Sequence, residues 1–392
     1  MLSVTQTGPA GALRASPSML LRSSGGNRSD DVFGHSGQLL RRRERGNLRV
    51  VNFIGLTGPA GVWGLASANS MLLAASEINR RGGILGREIE PSYYDAGADI
   101  EDVVQQARDL IAHEEVDVFM GSHISAVRVA LRKAIGGRVP YVYTPVYEGG
   151  ERTPGVMAIG ETPRHQSRPA IDWLANARNA KRWYLIGSDY VWPWLAHKAT
   201  KKYITEAGGQ VVGEEFVAMG EHDHSAAIDR IRAARPDVVV ISLIGTDSIV
   251  FNRAFAEHGL AARMLRLAGA MDETLLLGIG SDNSENLYCS SGYFVGRDSA
   301  PNEAFRARYD AMFGRCSPIP GSIAQSNYEG LQFLAAAAAK AGSVSARPLL
   351  QASSRMAYHG ARGEIVMKAG RAHMPIHLAE AQGLDFKMIK TF

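Results

Sequence analysis

The chain has 392 residues, of which 45% are hydrophobic and 21% charged, an ordinary globular composition with enough length for two buried cores. Its formal net charge of +4 is unevenly placed: residues 1–50 carry eight arginines against three acids, so the rest of the chain is near neutral. A neutral body argues against nucleic-acid binding, and two cysteines, Cys289 and Cys316, without paired spacing argue against a thiolate metal site.

Residues 1–47 are rich in Ser, Gly and Arg with little hydrophobic periodicity, and are expected to be a disordered basic tail. They contain no apolar run of signal-peptide length. The triple arginine 41–43 ahead of the apolar stretch 50–68 imitates an export signal, but Thr57-Gly58-Pro59 breaks that stretch and it continues into a helix. The folded body is expected to begin with a strand at 50–56, a glycine-containing loop at 58–64 and a helix over 65–80. Leu65, Ala68, Leu72, Ala75 and Ile78 in that helix share helical spacing. The loop has neither G-x-G-x-x-G nor G-K-[ST], so it reads as a strand-to-helix turn beside a cleft. A strand at 88–94 and a helix at 99–113 follow.

Residues 116–149 then read as strand, turn, helix, strand. The apolar run 116–120 stops at Gly121, Ser125 opens a helix that Gly136-Gly137 ends, and a strand follows at 139–144. Such strands are parallel neighbours, and ligands of such sheets lie outside their carboxyl ends. Ser122, His123 and Ser125 occupy one of these ends; Tyr143, Thr144 and Tyr147 occupy the other. After a strand at 156–160 a second alternating series runs from 166 to 295. Its first strand ends in Gly187-Ser188-Asp189-Tyr190-Val191-Trp192-Pro193, which places Tyr190 and Trp192 opposite the first pair of loops. Thr246 lies at a third strand end of the same kind. Helices at 302–313 and 325–341 and strands at 363–367 and 375–379 close the chain.

Two runs of strand–helix units predict an α/β fold of two doubly wound, Rossmann-like lobes. The N-terminal lobe is assigned residues 50–162 plus 297–343, and the C-terminal lobe 163–296 plus 344–392. No G-x-S-x-G, H-E-x-x-H or C-x-x-C is present, so no catalytic residue is assigned and no enzyme activity is expected. Glu221-His222-Asp223-His224 carries metal-capable side chains, but consecutive loop residues rarely converge on one ion. No metal or other cofactor is expected.

Four stretches carry a resemblance: E-I-N-R-R-G-G-I-L-G-R-E-I-E (77–90), Y-T-P-V-Y-E-G (143–149), I-G-S-D-Y-V-W-P (186–193) and H-S-A-A-I-D-R-I-R-A-A-R-P-D-V-V-V (224–240). With them, residues 50–385 resemble the type I periplasmic-binding-protein family, within it the amide- and urea-binding group. The resemblance implies three crossovers between lobes and a Venus-flytrap closure on a small ligand. It places Ser125, His123, Tyr143, Tyr190 and Trp192 around that ligand, with Thr144 one position from the group's threonine; the strand-end reading adds Tyr147, and Thr246 either lines the same cleft or caps the next helix. His123, Pro145 and Trp192 differ from the group's pattern, which reshapes the pocket.

The implied function is that of a cytoplasmic amide-sensing regulator, holding an antiterminator-type protein when empty. The alternative is the substrate-binding subunit of an ABC importer for amides, urea or branched-chain amino acids. That subunit would meet a permease and lie in the periplasm, reached through a misassigned start or an unrecognised signal. Association of identical chains fits either reading.

Overall fold

The computed structural model describes residues 46–368 and 371–392, together with the strands β1 (Val4–Gln6) and β2 (Ala12–Ala15). Most of the tail expected to be disordered therefore lies outside the described residues. Where it is described the expectation is corrected: β1 and β2 pair antiparallel and extend the first sheet.

The first sheet continues with β3 (Leu48–Ile54), β4 (Ile89–Asp95), β5 (Val118–Ser122), β6 (Tyr141–Tyr143) and β7 (Val156–Ala158), in the order β1-β2-β4-β3-β5-β6-β7. From β4 to β7 every pairing is parallel. Parallel strands are covered by helices on both faces, which is why β5, β6 and β7 are buried at every position. The second sheet repeats the plan with β8 (Arg182–Ser188), β9 (Gln210–Val217), β10 (Val238–Ser242), β11 (Leu265–Ala268) and β12 (Leu287–Ser291).

A three-stranded sheet of β13 (Ala357–Gly360), β14 (Gly363–Lys368) and β15 (Arg371–His373) precedes β16 (His377–Gln382) and β17 (Asp385–Thr391). The last two strands complete the second sheet as β17-β16-β12-β11-β10-β8-β9. Each lobe thus has its first and third parallel strands side by side, β3 with β5 and β8 with β10. Strand order reverses at that point, and crevices for ligands form there.

One boundary differs from the sequence reading. Residues 344–373, assigned above to the second lobe, bury Leu349, Met356, Ile365 and Met367 in the core of the first. The chain crosses between lobes after β7, after β12 and just before β16. The second lobe receives only the terminal hairpin of β16 and β17, of which the sequence pattern showed one strand, shifted by two residues.

The crossings are pinned together by one buried carboxylate. Glu161, in the first crossing, accepts from the Gly292 backbone N–H at 2.9 Å and from Arg362 Nη1 at 2.8 Å. Arg362 also donates to Gln325 Oε1 at 2.7 Å and to the Ser322 carbonyl, and its backbone N–H reaches Glu329 Oε1 at 3.2 Å. A side chain at position 292 would not fit, since a Cβ there would stand 2.5 Å from Glu161 Oε1.

Candidate functional site

At the end of β5 the chain turns through His123 and Ile124 into helix Ser125–Ile135. Ile124 at the N-cap offers no side-chain hydrogen bond, so the first N–H groups of this helix face the cleft without the usual capping oxygen. Ser122 and Ser125 flank them, buried; among the described residues Ser122 Oγ has no hydrogen-bond partner, and Ser125 Oγ has only the neighbouring Tyr143 hydroxyl.

His123 holds the turn. Its Nδ1 meets the Ile124 carbonyl at 3.0 Å and must donate; its Nε2 then accepts from the Tyr141 hydroxyl at 2.8 Å. Burial pushes the imidazole pKa down to about 4, so the ring is neutral. The Tyr143 hydroxyl donates to the His123 carbonyl at 2.7 Å. Both residues present ring surface to the cleft while their polar atoms are engaged elsewhere.

Behind this wall Arg128 ion-pairs with Glu148 and Glu151, and Arg132 reaches Glu151 at 3.0 Å. The Arg128 guanidinium lies 5.4 Å from the Tyr143 ring centre and 5.2 Å from that of Tyr147. Two cations balance two carboxylates, so the cluster stiffens the wall without lending the cleft a charge.

The opposite wall is the second lobe. Tyr190 and Trp192 stand at the end of β8 with ring centres 6.3 Å apart, and Ile244 and Ala270 follow β10 and β11. The short helix Pro59–Trp63 of the first lobe reaches across. Trp63 Nε1 donates to Asp272 Oδ1 at 3.0 Å, and a Cβ on Gly245, whose φ is +53°, would stand 1.8 Å from the Pro59 carbonyl oxygen. The lobes are therefore closed on each other.

Between them lies a cleft with about 460 Å³ of free space, open solvent included. Its walls are largely apolar, and the described residues lining it include no Asp, Glu, Lys or Arg. Among the described residues lining it, Ser122 Oγ and Trp192 Nε1 are buried donors without a protein partner, and Ser125 Oγ has only the Tyr143 hydroxyl beside it.

The sequence profile of the periplasmic binding protein family matches residues 48–385. The chain belongs to the type I periplasmic binding protein family. Relatives of this periplasmic binding protein include the Leu/Ile/Val-binding protein BraC3 of Rhizobium johnstonii, 23% identical over 304 residues that span 74% of this chain and 78% of the relative. An amino acid binding protein of Pseudomonas aeruginosa is 23% identical over 206 residues, 52% of this chain and 55% of that one. A solved periplasmic binding protein from Burkholderia mallei superposes with a TM-score of 0.81 at 17% identity, covering 88% of this chain and 94% of its own. An ABC transporter solute binding protein from R. palustris, solved with 4-hydroxybenzoate, gives 0.78 at 20% identity over 88% and 97%. Proteins of this family bind substrates and are in general not enzymes.

Five of the eight site residues read from the sequence line this binding protein's cavity: His123, Ser125, Tyr143, Tyr190 and Trp192. Three do not. Thr144 is turned into the first lobe, donating to the Gly121 carbonyl at 3.3 Å and accepting from Ser326 Oγ at 3.0 Å. Tyr147 is buried over Arg128, and Thr246 is exposed to solvent at the start of helix Gly245–Glu257.

The sequence reading passed over Trp63, Ile244, Ala270 and Ile323, which all line the cavity. Trp63 had a usable signal, a large aromatic inside a glycine-containing turn at a strand's carboxyl end; the aliphatic three had none. Among the described residues no group of three or more His, Cys, Asp or Glu is placed to hold a metal ion. In the 221–224 cluster His224 is turned inward against the Phe251 ring, at 5.4 Å between centres.

Proposed function

We propose that this protein is the substrate-binding subunit of an ABC importer and that it captures a small, flat, uncharged molecule, a short amide or urea. The observation carrying this reading is the cavity without charged side chains in which Ser122 Oγ and Trp192 Nε1 are left without a partner. An amide carbonyl supplies the acceptor that Ser122 and the open helix end lack, and the rings of Trp63, Tyr190 and Trp192 cover a planar group. An α-amino acid brings an ammonium as well. With no carboxylate in the lining, burying that charge would cost several kcal/mol or more.

Periplasmic location belongs to the same proposal and draws on the names of the relatives. The regulator reading uses the same cavity and is supported by the motifs at 143–149 and 186–193. Cell fractionation separates the two, since a protein confined to the cytoplasm would return the reading to a sensor. For the ligand class, the test is thermal melting with acetamide, urea, leucine and benzoate. Ligand bound to the native state raises Tm by mass action. A rise with acetamide or urea and none with leucine is expected; a rise with leucine alone overturns the amide assignment.

A further inference from the structure

Behind the interlobe cavity, in the second lobe, lies another pocket, with about 410 Å³ of free space, open solvent included. Its floor is formed by the ends of β10 and β11, and its walls by helices Pro163–Ala177 and Val191–Glu206. Its lining carries the polar side chains Gln166, Ser167, Thr200, Ser242 and Ser290. Gln166 is held ready, with Nε2 donating to the Gly269 carbonyl at 3.1 Å and its backbone carbonyl accepting from Ser290 Oγ at 2.9 Å. Gly269 keeps the floor low, because a Cβ there would stand 3.0 Å from Gln166 Oε1. No Asp, Glu, Lys or Arg lines this space either.

Trp192 is the one residue common to the two linings. Only 4% of it is exposed, yet its Nε1 has no hydrogen-bond partner among the described residues. An indole anchored by a hydrogen bond would lose that bond on turning; this one is held by packing alone, and side chains turn between discrete staggered rotamers.

We infer that the space behind Trp192 is a second ligand subsite, which takes an uncharged hydrogen-bonding end of an elongated ligand, and that Trp192 is the partition that decides how long a ligand may be. This rests on the interlobe cavity holding the ligand's head. Hydroxyl or carboxamide termini fit the rear space, where Gln166 and the hydroxyls of Ser167, Thr200 and Ser242 both donate and accept, and Ser290, its proton given to the Gln166 carbonyl, accepts. A charged terminus would find no counter-ion.

Titration calorimetry of the full chain with acetamide and with adipamide, a diamide long enough to span both spaces, tests it. Ala196→Phe, which fills the rear space, is expected to raise the Kd of adipamide at least tenfold and that of acetamide less than twofold. Trp192→Ala is expected to shift preference at least tenfold toward adipamide. Equal effects of Ala196→Phe on both ligands would overturn the inference.

A second measurement needs no ligand assignment. Ser242→Cys, placed in a Cys316→Ser background, is alkylated by iodoacetamide, an S–C bond forming as iodide leaves. Adding Trp192→Ala should speed that labelling at least tenfold. Equal rates mean that Trp192 divides nothing, and the inference fails. Different rates with no binding of either amide would leave the partition standing and refute only the amide reading of the front cavity.

Discussion

Ser122 and Ser125 sit where two requirements meet. Each is buried; among the described residues the Ser122 hydroxyl has no partner and that of Ser125 has only the Tyr143 hydroxyl, a cost a fold accepts when a ligand later satisfies the group. Ser125→Ala is expected to weaken acetamide binding by about 0.5–3 kcal/mol, the range for a lost hydrogen bond, with Tm unchanged; calorimetry and melting of the same variant check both. An unaltered Kd would remove Ser125 from the ligand's contacts. Thr144→Val should do the reverse. It breaks the bonds to Gly121 and Ser326, lowering Tm while leaving affinity close to that of the unmodified protein. The contrast between neighbours explains why site residues were only partly legible in the sequence. Side chains alternate faces along a strand, so Tyr143 meets the cavity and Thr144 the core. Composition marks the strand's end without saying which residue turns outward.

Among the elements, the helix Pro59–Trp63 is the part of the first lobe that grips the second. Gly245 lets it approach, since both its positive φ and the 1.8 Å clearance of a Cβ to Pro59 exclude a side chain. Gly245→Val is therefore expected to wedge the lobes apart. Small-angle scattering should show no compaction on adding ligand, and the Kd should rise at least tenfold, roughly the 1.4 kcal/mol that one decade represents. This contact was hidden from the sequence because it joins residues nearly two hundred positions apart. The strand–helix alternation that predicted both sheets is local, whereas closure is a property of two surfaces. The misplaced segment 344–373 has the same origin: β13, β14 and β15 form a separate small sheet, and only the burial of Leu349 and Ile365 shows which core they serve.

Across the whole molecule, protonation sets opposing slopes of stability. Burial lowers the pKa of His123, His197 and His377 to about 4. The unfolded chain takes up those protons near the ordinary histidine value while the native state refuses them. Stability is therefore full above about pH 6.5 and declines as pH falls toward 4, by about 1.4 kcal/mol per pH unit for each ring within that window. Glu273 runs the other way. Its carboxyl is raised to about 8 by burial, with the Asp272 charge adding to the effect, so the native state keeps a proton that the unfolded chain releases above about pH 4.5. Its share of stability is lost as pH rises from about 4.5 through 8. A dome of Tm against pH, highest in mildly acidic to neutral buffer, is the expected profile. Glu273→Gln should flatten its alkaline side while leaving the acid side in place. An alkaline limb identical in the variant would show that Glu273 does not set it.

The balanced charges behind the cleft bear on how the cargo would cross a membrane. Arg128, Arg132, Glu148 and Glu151 cancel one another, and nothing charged lines the chamber in front of them. On the reading proposed above, the cargo selected by such a chamber has no charge of its own. Moving an ion against a transmembrane potential takes about 2.3 kcal/mol per charge for every 100 mV; a neutral amide does no electrical work in either direction. Its uptake would be indifferent to voltage, and the concentration ratio alone would set the free energy of transfer.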